Sequence, residues 1–288
     1  MNVLAVDTSN EQGSVALARE GNLLELVVLP PGWRSTTLHS EIERLLQRHG
    51  LATGDIQGYG VTTGPGSFTG VRVGLTAVKG LAEVHAKPIV AVSTLEMLAV
   101  AAMKAWDSQS ATSPLRSGAC QLPKPTVLVT ILDARRGQIF GGVYRKNGDL
   151  LEALIGECVC SLPAFLERLN RLCEEANRGQ GIGNLEPTAS LERMLGTGNS
   201  DVAAGLKASE RIAILQDLAF CSTDLAPLIP EIERAGCGGA LRLQVSPWLA
   251  GPLALFATEK LRKGLGVSAA AADANYVRPS DAELFWKE

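Results

Sequence analysis

Val3-Leu4-Ala5-Val6-Asp7 is a short apolar run that stops at an aspartate, and Val127-Leu128-Val129-Thr130-Ile131-Leu132-Asp133 repeats the pattern later in the chain. Asp133 lies 126 residues after Asp7, and Asn147 and Gly148 lie 126 residues after Gly21 and Asn22. One offset at two separate signals reads as an internal duplication. In the first copy, strands are expected at Ser14 to Arg19 and Leu23 to Leu29, with a turn at Glu20-Gly21-Asn22 between them. In the second copy, Gln138 to Arg145 is the second strand, Asn147-Gly148-Asp149 the turn, and Leu150 to Leu154 the start of the third. The unit repeated is a β-meander whose first strand ends in aspartate.

Helical periodicity surrounds these meanders. Leu38, Ile42, Leu45 and Leu46 recur at helical spacing between Thr37 and His49, and Gly50 closes that helix. A strand is expected over Gln57 to Thr62, a long apolar helix over Thr69 to His85, and a strand over Ile89 to Val92. Ser93 or Thr94 can cap a helix running to Trp106. Residues 107–125, rich in serine and proline, read as a linker. Leu162 to Asn177 reads as a helix, and Gly179 to Asn199 as turn-rich with a short helix around Leu191 to Leu195. Ala203 to Phe220 is weakly patterned, and Ala226 to Ile229 fits a short strand or a buried loop. Trp248 to Leu261 is expected as a helix, with Pro252 near its start and Gly264 after it. The expected organisation is a lobe at 1–106 completed by the helix near 248–264, a second lobe at 126–247, and a tail at 265–288.

Composition narrows the function. Of 288 residues, 46% are hydrophobic and only 5% aromatic, so aliphatic side chains must fill the core of an α/β fold. The net charge of −3 provides no general attraction to nucleic acid, and Arg135-Arg136 and Lys260 to Lys263 are too sparse to form a basic patch. The N-terminus lacks a basic leader, and no apolar run approaches a membrane span, so a cytoplasmic location is expected. Six scattered cysteines fit reduced thiols, and Cys158-x-Cys160 lacks the spacing of a zinc knuckle.

A duplicated meander followed each time by helix and strand resembles the two-lobe actin-like ATPase (ribonuclease H-like) fold of actin, sugar kinases and Hsp70. That resemblance implies a nucleotide or phosphate cleft near Asp7, Thr8, Ser9 and Asp133, with Gly196-Thr197-Gly198-Asn199 as a second phosphate turn; the same residues also read as plain strand ends and turns. The loop Gly64-Pro65-Gly66-Ser67-Phe68-Thr69-Gly70, with Arg72 just beyond, leads into a helix N-terminus. It lacks the lysine of a P-loop and the pattern of a nucleophile elbow, and equally reads as a packing motif with Phe68 as a plug. The helix after Gly70 is apolar nearly all round: Val71, Val73, Leu75, Ala77, Val78, Leu81 and Val84, with small residues at Gly70 and Gly74. It is either buried on both sides or offers one face to a partner.

Asp7-Thr8-Ser9, His39-Ser40, Gly64 to Arg72, Pro88 to Leu95, Asp133-Ala134-Arg135-Arg136-Gly137 and Tyr276-Val277-Arg278-Pro279 occur in one order along the chain. Together they resemble the TsaB family of bacterial tRNA threonylcarbamoyladenosine proteins, within the wider glycoprotease-like group. The resemblance implies a non-catalytic subunit, required for threonylcarbamoyl transfer to adenosine 37 of tRNA. It implies binding to a TsaD-like catalytic subunit through Gly70, Val71, Val73, Gly74, Leu75, Ala77, Val78, Leu81 and Met97, with a TsaE-like ATPase joining and tRNA reached through the complex. Where TsaD carries two metal-ligating histidines, the matching positions are Thr94 and Leu98; with three histidines in the chain and no pair four apart, no metal is expected. No tightly bound cofactor is expected; ATP or ADP at a complex interface and a homodimer of the isolated chain both stay open. The competing readings are a nucleotide-binding enzyme of the same fold, a metallopeptidase, and a structural or chaperone-like protein of another assembly.

Overall fold

A computed structural model describes residues 1–112, 125–148, 150–177 and 218–277. Gly198 with its turn, the short helix expected near Leu191, and most of the 107–125 and 203–220 stretches lie outside the described residues. The chain divides into two compact units, Met1–Ala101 with Ser246–Glu288, and Ala102–Val245.

In the first unit, β1 (Asn2–Asp7), β2 (Ser14–Arg19) and β3 (Asn22–Val28) form the expected antiparallel meander, in register from Asp7 against Ser14 to Asn2 against Arg19. Helix α1 (Ser35–Arg48) leads to β4 (Gly58–Thr62), α2 (Phe68–Val84) to β5 (Ile89–Val92), and α3 (Thr94–Thr112) follows. β4 lies parallel to β1 and β5 parallel to β4, giving the sheet order β3-β2-β1-β4-β5. Parallel neighbours require a crossover, and helices supply it.

Strand alternation divides the core. Leu4, Val6, Val15 and Leu17 point to one face, where they pack with Leu38, Ile42 and Leu45 of α1 and Leu75 and Val78 of α2. Ala5 and Gly60 face the other way, close to Leu253 and Ala257 of a late helix. In chain order that helix is α6 (Ala250–Arg262), and it packs across β1 to β4. Small side chains on the sheet let it approach closely.

The second unit repeats the plan. β6 (Val127–Arg135), β7 (Gln138–Asn147) and β8 (Leu150–Cys160) form a meander, α4 (Leu162–Asn177) follows, and β9 (Leu218–Ser222) and β10 (Leu241–Gln244) complete the order β10-β9-β6-β7-β8. Both sheets therefore read 3-2-1-4-5, with the first strand central: the actin-like ATPase arrangement.

The structure departs from expectation at three places. Helix α3 continues through Thr112 instead of ending at Trp106, since no glycine or proline interrupts residues 94–112. Residues 226–229 are a 3-10 turn (Ala226–Leu228) leading into α5 (Ile229–Arg234), with Pro227 and Pro230 set where helix starts tolerate proline. β6 does not stop at Asp133 but runs on to Arg135 through a bulge.

The glycine spacing at the start of α2 has a direct packing cause. A Cβ on Gly66 would lie 2.2 Å from the Ser9 carbonyl oxygen, on Gly70 2.1 Å from the Thr8 carbonyl oxygen, and on Gly74 2.1 Å from Thr8 Oγ1. Every fourth residue is thus a glycine because the loop after β1 rests directly on the helix. Ser67 caps α2, its Oγ accepting from Gly70 N at 3.2 Å, while Ser67 N donates to the Ser9 carbonyl at 2.6 Å. Gly80, on the same helix, has open space around the Cβ position. Gly70→Ala should therefore destabilise the protein by about 2 kcal/mol or more, lowering Tm by about 4–8 °C, whereas Gly80→Ala should raise stability by up to about 1 kcal/mol. Thermal unfolding of the two variants checks the opposite signs.

Candidate functional site

The strand-end aspartates differ sharply. Asp7 is wholly buried, as are Thr8 and, at 5% exposure, Ser9. Asp7 Oδ1 accepts from Ser9 Oγ at 2.7 Å, Thr62 Oγ1 at 2.7 Å and Ser9 N at 3.1 Å; Oδ2 accepts from Leu249 N at 3.4 Å. The carboxylate thus joins the ends of β1 and β4 to the residue that opens α6. Burial pushes its carboxyl above the ordinary value, against the pull of these four donors.

The fold family implies phosphate and Mg²⁺ near such an aspartate, and the residues present do not fit them. Both oxygens of Asp7 accept from protein donors, and Thr8 and Ser9 fill the space against Gly66, Gly70 and Gly74. The glycines of this loop have a packing role, since a Cβ at any of the three would meet the Thr8–Ser9 segment.

Asp133 is exposed. The bulge after it breaks the register, and its Oδ1 accepts from Arg135 N at 2.8 Å. Arg135, Arg136 and Gly137 all take positive φ, so Asp-Ala-Arg-Arg-Gly shapes the β6–β7 hairpin turn and Asp133 supports it locally.

Helix α2 presents its other side to a groove. Ser35 and His39 of α1, Arg72, Val73, Thr76, Ala77, Gly80, Leu81 and Val84 of α2, and the nearby Thr53 and His85 line a cavity of about 600 Å³. Val84 is 78% exposed. Among the residues expected at the partner surface, Val73, Ala77 and Leu81 reach this groove. Gly70, Val71, Gly74, Leu75 and Val78 are buried within their own unit, and Met97 of α3 is fully buried. Thr76, Gly80 and Val84 line the same groove beside Val73, Ala77 and Leu81. Periodicity could not separate the two faces, because both are apolar.

Phe68 is not a plug, being 42% exposed. The Arg72 guanidinium lies 3.9 Å from its ring centroid, and Arg72 Nε donates to Tyr276 Oη at 2.8 Å. This clamp, with Asn275 N donating to the Thr63 carbonyl, pins the segment after α6 over the glycine loop. Thr94 and Leu98 are buried in α3, and among the described residues no three His, Cys, Asp or Glu side chains converge as metal ligands. No helix among the described residues is long and apolar enough to cross a membrane.

The Asp7 carboxyl also sets a pH dependence. With its folded-state value raised above 3.8, its contribution to stability is fully present below that ordinary value and is lost as pH rises through the folded one. Asp7→Asn removes this titration. Urea midpoints measured between about pH 4 and pH 8 should show wild type losing stability relative to Asp7→Asn as pH rises, and parallel profiles would contradict the assignment.

Comparison with known proteins agrees with this architecture. The family model for TsaD, tRNA N6-adenosine threonylcarbamoyltransferase, matches residues 34–235. The chain is 34% identical over 170 residues to the tRNA threonylcarbamoyladenosine biosynthesis protein TsaB of Bacillus subtilis, covering 59% of this chain and 66% of that protein. It is 31% identical over 147 residues to the protein of the same name from Escherichia coli, covering 51% and 56%. A tRNA N6-adenosine threonylcarbamoyltransferase of Methylorubrum populi is 31% identical over 199 residues, covering 67% and 53%. The matched stretch thus spans between about half and two thirds of these relatives. Among solved structures, YeaZ from Pseudomonas aeruginosa superposes with a TM-score of 0.59 at 24% identity, over 96% of this chain and 99% of that one, which supports the fold. With a family model covering most of its length, the chain belongs to the TsaD family, and its curated relatives include both TsaB proteins and the transferases.

Proposed function

We propose that this protein is a non-catalytic subunit required for threonylcarbamoyl transfer to adenosine 37 of tRNA, acting in the cytoplasm by binding a TsaD-like catalytic subunit. The observation that carries this reading is the groove between α1 and α2, where Val73, Leu81 and the 78%-exposed Val84 leave apolar surface without a covering element among the described residues. Two further facts favour a supporting role. The Asp7 carboxylate is held by protein donors, and on the resemblance Thr94 and Leu98 stand where a TsaD-like subunit carries its metal-ligating histidines. A TsaE-like ATPase and tRNA join through the assembly, and a nucleotide, where the assembly uses one, sits at the joint surface rather than at Asp7.

Mixing this protein with the cognate TsaD-like protein at micromolar concentration should give a single heterodimer on sizing. Val84→Asp, at an exposed position, should weaken that complex by about tenfold or more while leaving the thermal unfolding of the isolated chain unchanged. Modified adenosine in a reconstituted reaction should depend on this protein and fall with the same variant. Separate monomer or homodimer peaks in the mixture would overturn the reading. In the absence of the partner, the same groove offers itself to a second copy of the chain.

A further inference from the structure

Two thiols in the second unit lie side by side. Cys158 and Cys160 sit on β8, the outermost strand of their sheet, and residues two apart on a strand share a face. Their Sγ atoms are 4.0 Å apart, and Cys158 Sγ also donates to the Gly141 carbonyl at 3.6 Å. Both are half-buried, within reach of small solutes, whereas Cys221 and Cys237 are buried. Helix α4 brings Arg168 against Cys158. A paired, partly accessible thiol beside a guanidinium is the environment in which cysteines react.

We propose that Cys158 and Cys160 form a reversible oxidation site for peroxide, with Cys158 as the attacking sulfur and Cys160 as the resolving one. The Cys158 thiolate attacks one oxygen of hydrogen peroxide. An S–O bond forms, the O–O bond breaks, and the departing hydroxide takes up a proton to leave as water. Cys160 then attacks Cys158 Sγ: the S–S bond forms, the S–O bond breaks, and the hydroxide released takes the Cys160 proton to give a second water. The two sulfurs together give up two electrons, which reduce the peroxide.

The surroundings divide these roles. The Cys160 thiol, and after it the Arg168 guanidinium, hold Cys158 below the ordinary thiol value, which favours its thiolate. The same contact, with burial, pushes Cys160 up. Burial pushes Cys173 up to about 11 and Cys221 higher still, which disfavours the thiolate of each. Two residues of strand span about 6.4–6.8 Å, at the upper edge of the Cα separation a disulfide tolerates. The bridge is therefore strained and readily reduced, as a reversible modification requires.

Treatment of the full-length protein with a small excess of hydrogen peroxide tests this. The tryptic peptide 147–168 holds both thiols and no other cysteine. It should become two hydrogens lighter and recover on treatment with dithiothreitol. In Cys160→Ser, Cys158 should accumulate as a dimedone adduct of its sulfenic acid. In the untreated wild type, iodoacetamide at neutral pH should label Cys158 about tenfold or more faster than Cys173 or Cys221, and Arg168→Gln should reduce that advantage. A peptide of unchanged mass under peroxide, absence of the dimedone adduct in Cys160→Ser, or equal labelling rates in wild type would each overturn the proposal. The wild-type measurements decide it even where a variant fails to fold.

Discussion

The first unit is organised around one buried carboxylate. Asp7 accepts hydrogen bonds from Ser9, Thr62 and Leu249, so the ends of two neighbouring strands and the start of a helix from the far end of the sequence meet at one side chain. A carboxylate in such a place is tolerable only because its oxygens are satisfied. The same bonds draw the loop after β1 down onto α2, where only glycine leaves room. Asp7 and the Gly66, Gly70, Gly74 row are thus two sides of one constraint.

That constraint explains the composition of α2. Its glycine side and its Leu75 and Val78 side are consumed within the unit, and the apolar residues that remain face the groove with α1. A helix that served only its own core would present charge there. Instead, Thr76, Gly80, Leu81 and Val84 make a shallow, low-charge surface, flanked by the Phe68–Arg72–Tyr276 clamp. The clamp holds the segment after α6 in place over the glycine loop.

The duplicated unit preserves topology while losing the equivalence of its parts. Both sheets have the same strand order, yet Asp7 is sealed and Asp133 stands in solvent beside a hairpin turn. Strand pairing needs only alternation and turn residues, which tolerate drift. A buried carboxylate needs four donors from three elements, and the bulge at Asp133 removes the geometry. What the second unit has instead is a thiol pair on its edge strand, a feature with no counterpart on β3 of the first.

The sequence by itself determined the architecture: the repeat offset, the apolar–polar alternation and the turn residues are local signals, and β1 (Asn2–Asp7) and the start of β6 at Val127 lie where these put them. It also contained the family motifs, whose order along the chain is legible without coordinates. It could not show β9, where local patterning is weak and pairing with β6 decides the outcome. Nor could it tell that Val71 and Val78 turn inward while Val73, Leu81 and Val84 turn out, since one apolar helix presents the same letters to both sides. The fate of Asp7 depended on Leu249, more than two hundred residues away, and the pairing of Cys158 with Arg168 on how α4 packs against its sheet. Local sequence encodes periodicity; burial and proximity belong to the chain as folded, because they depend on residues that only tertiary packing brings together.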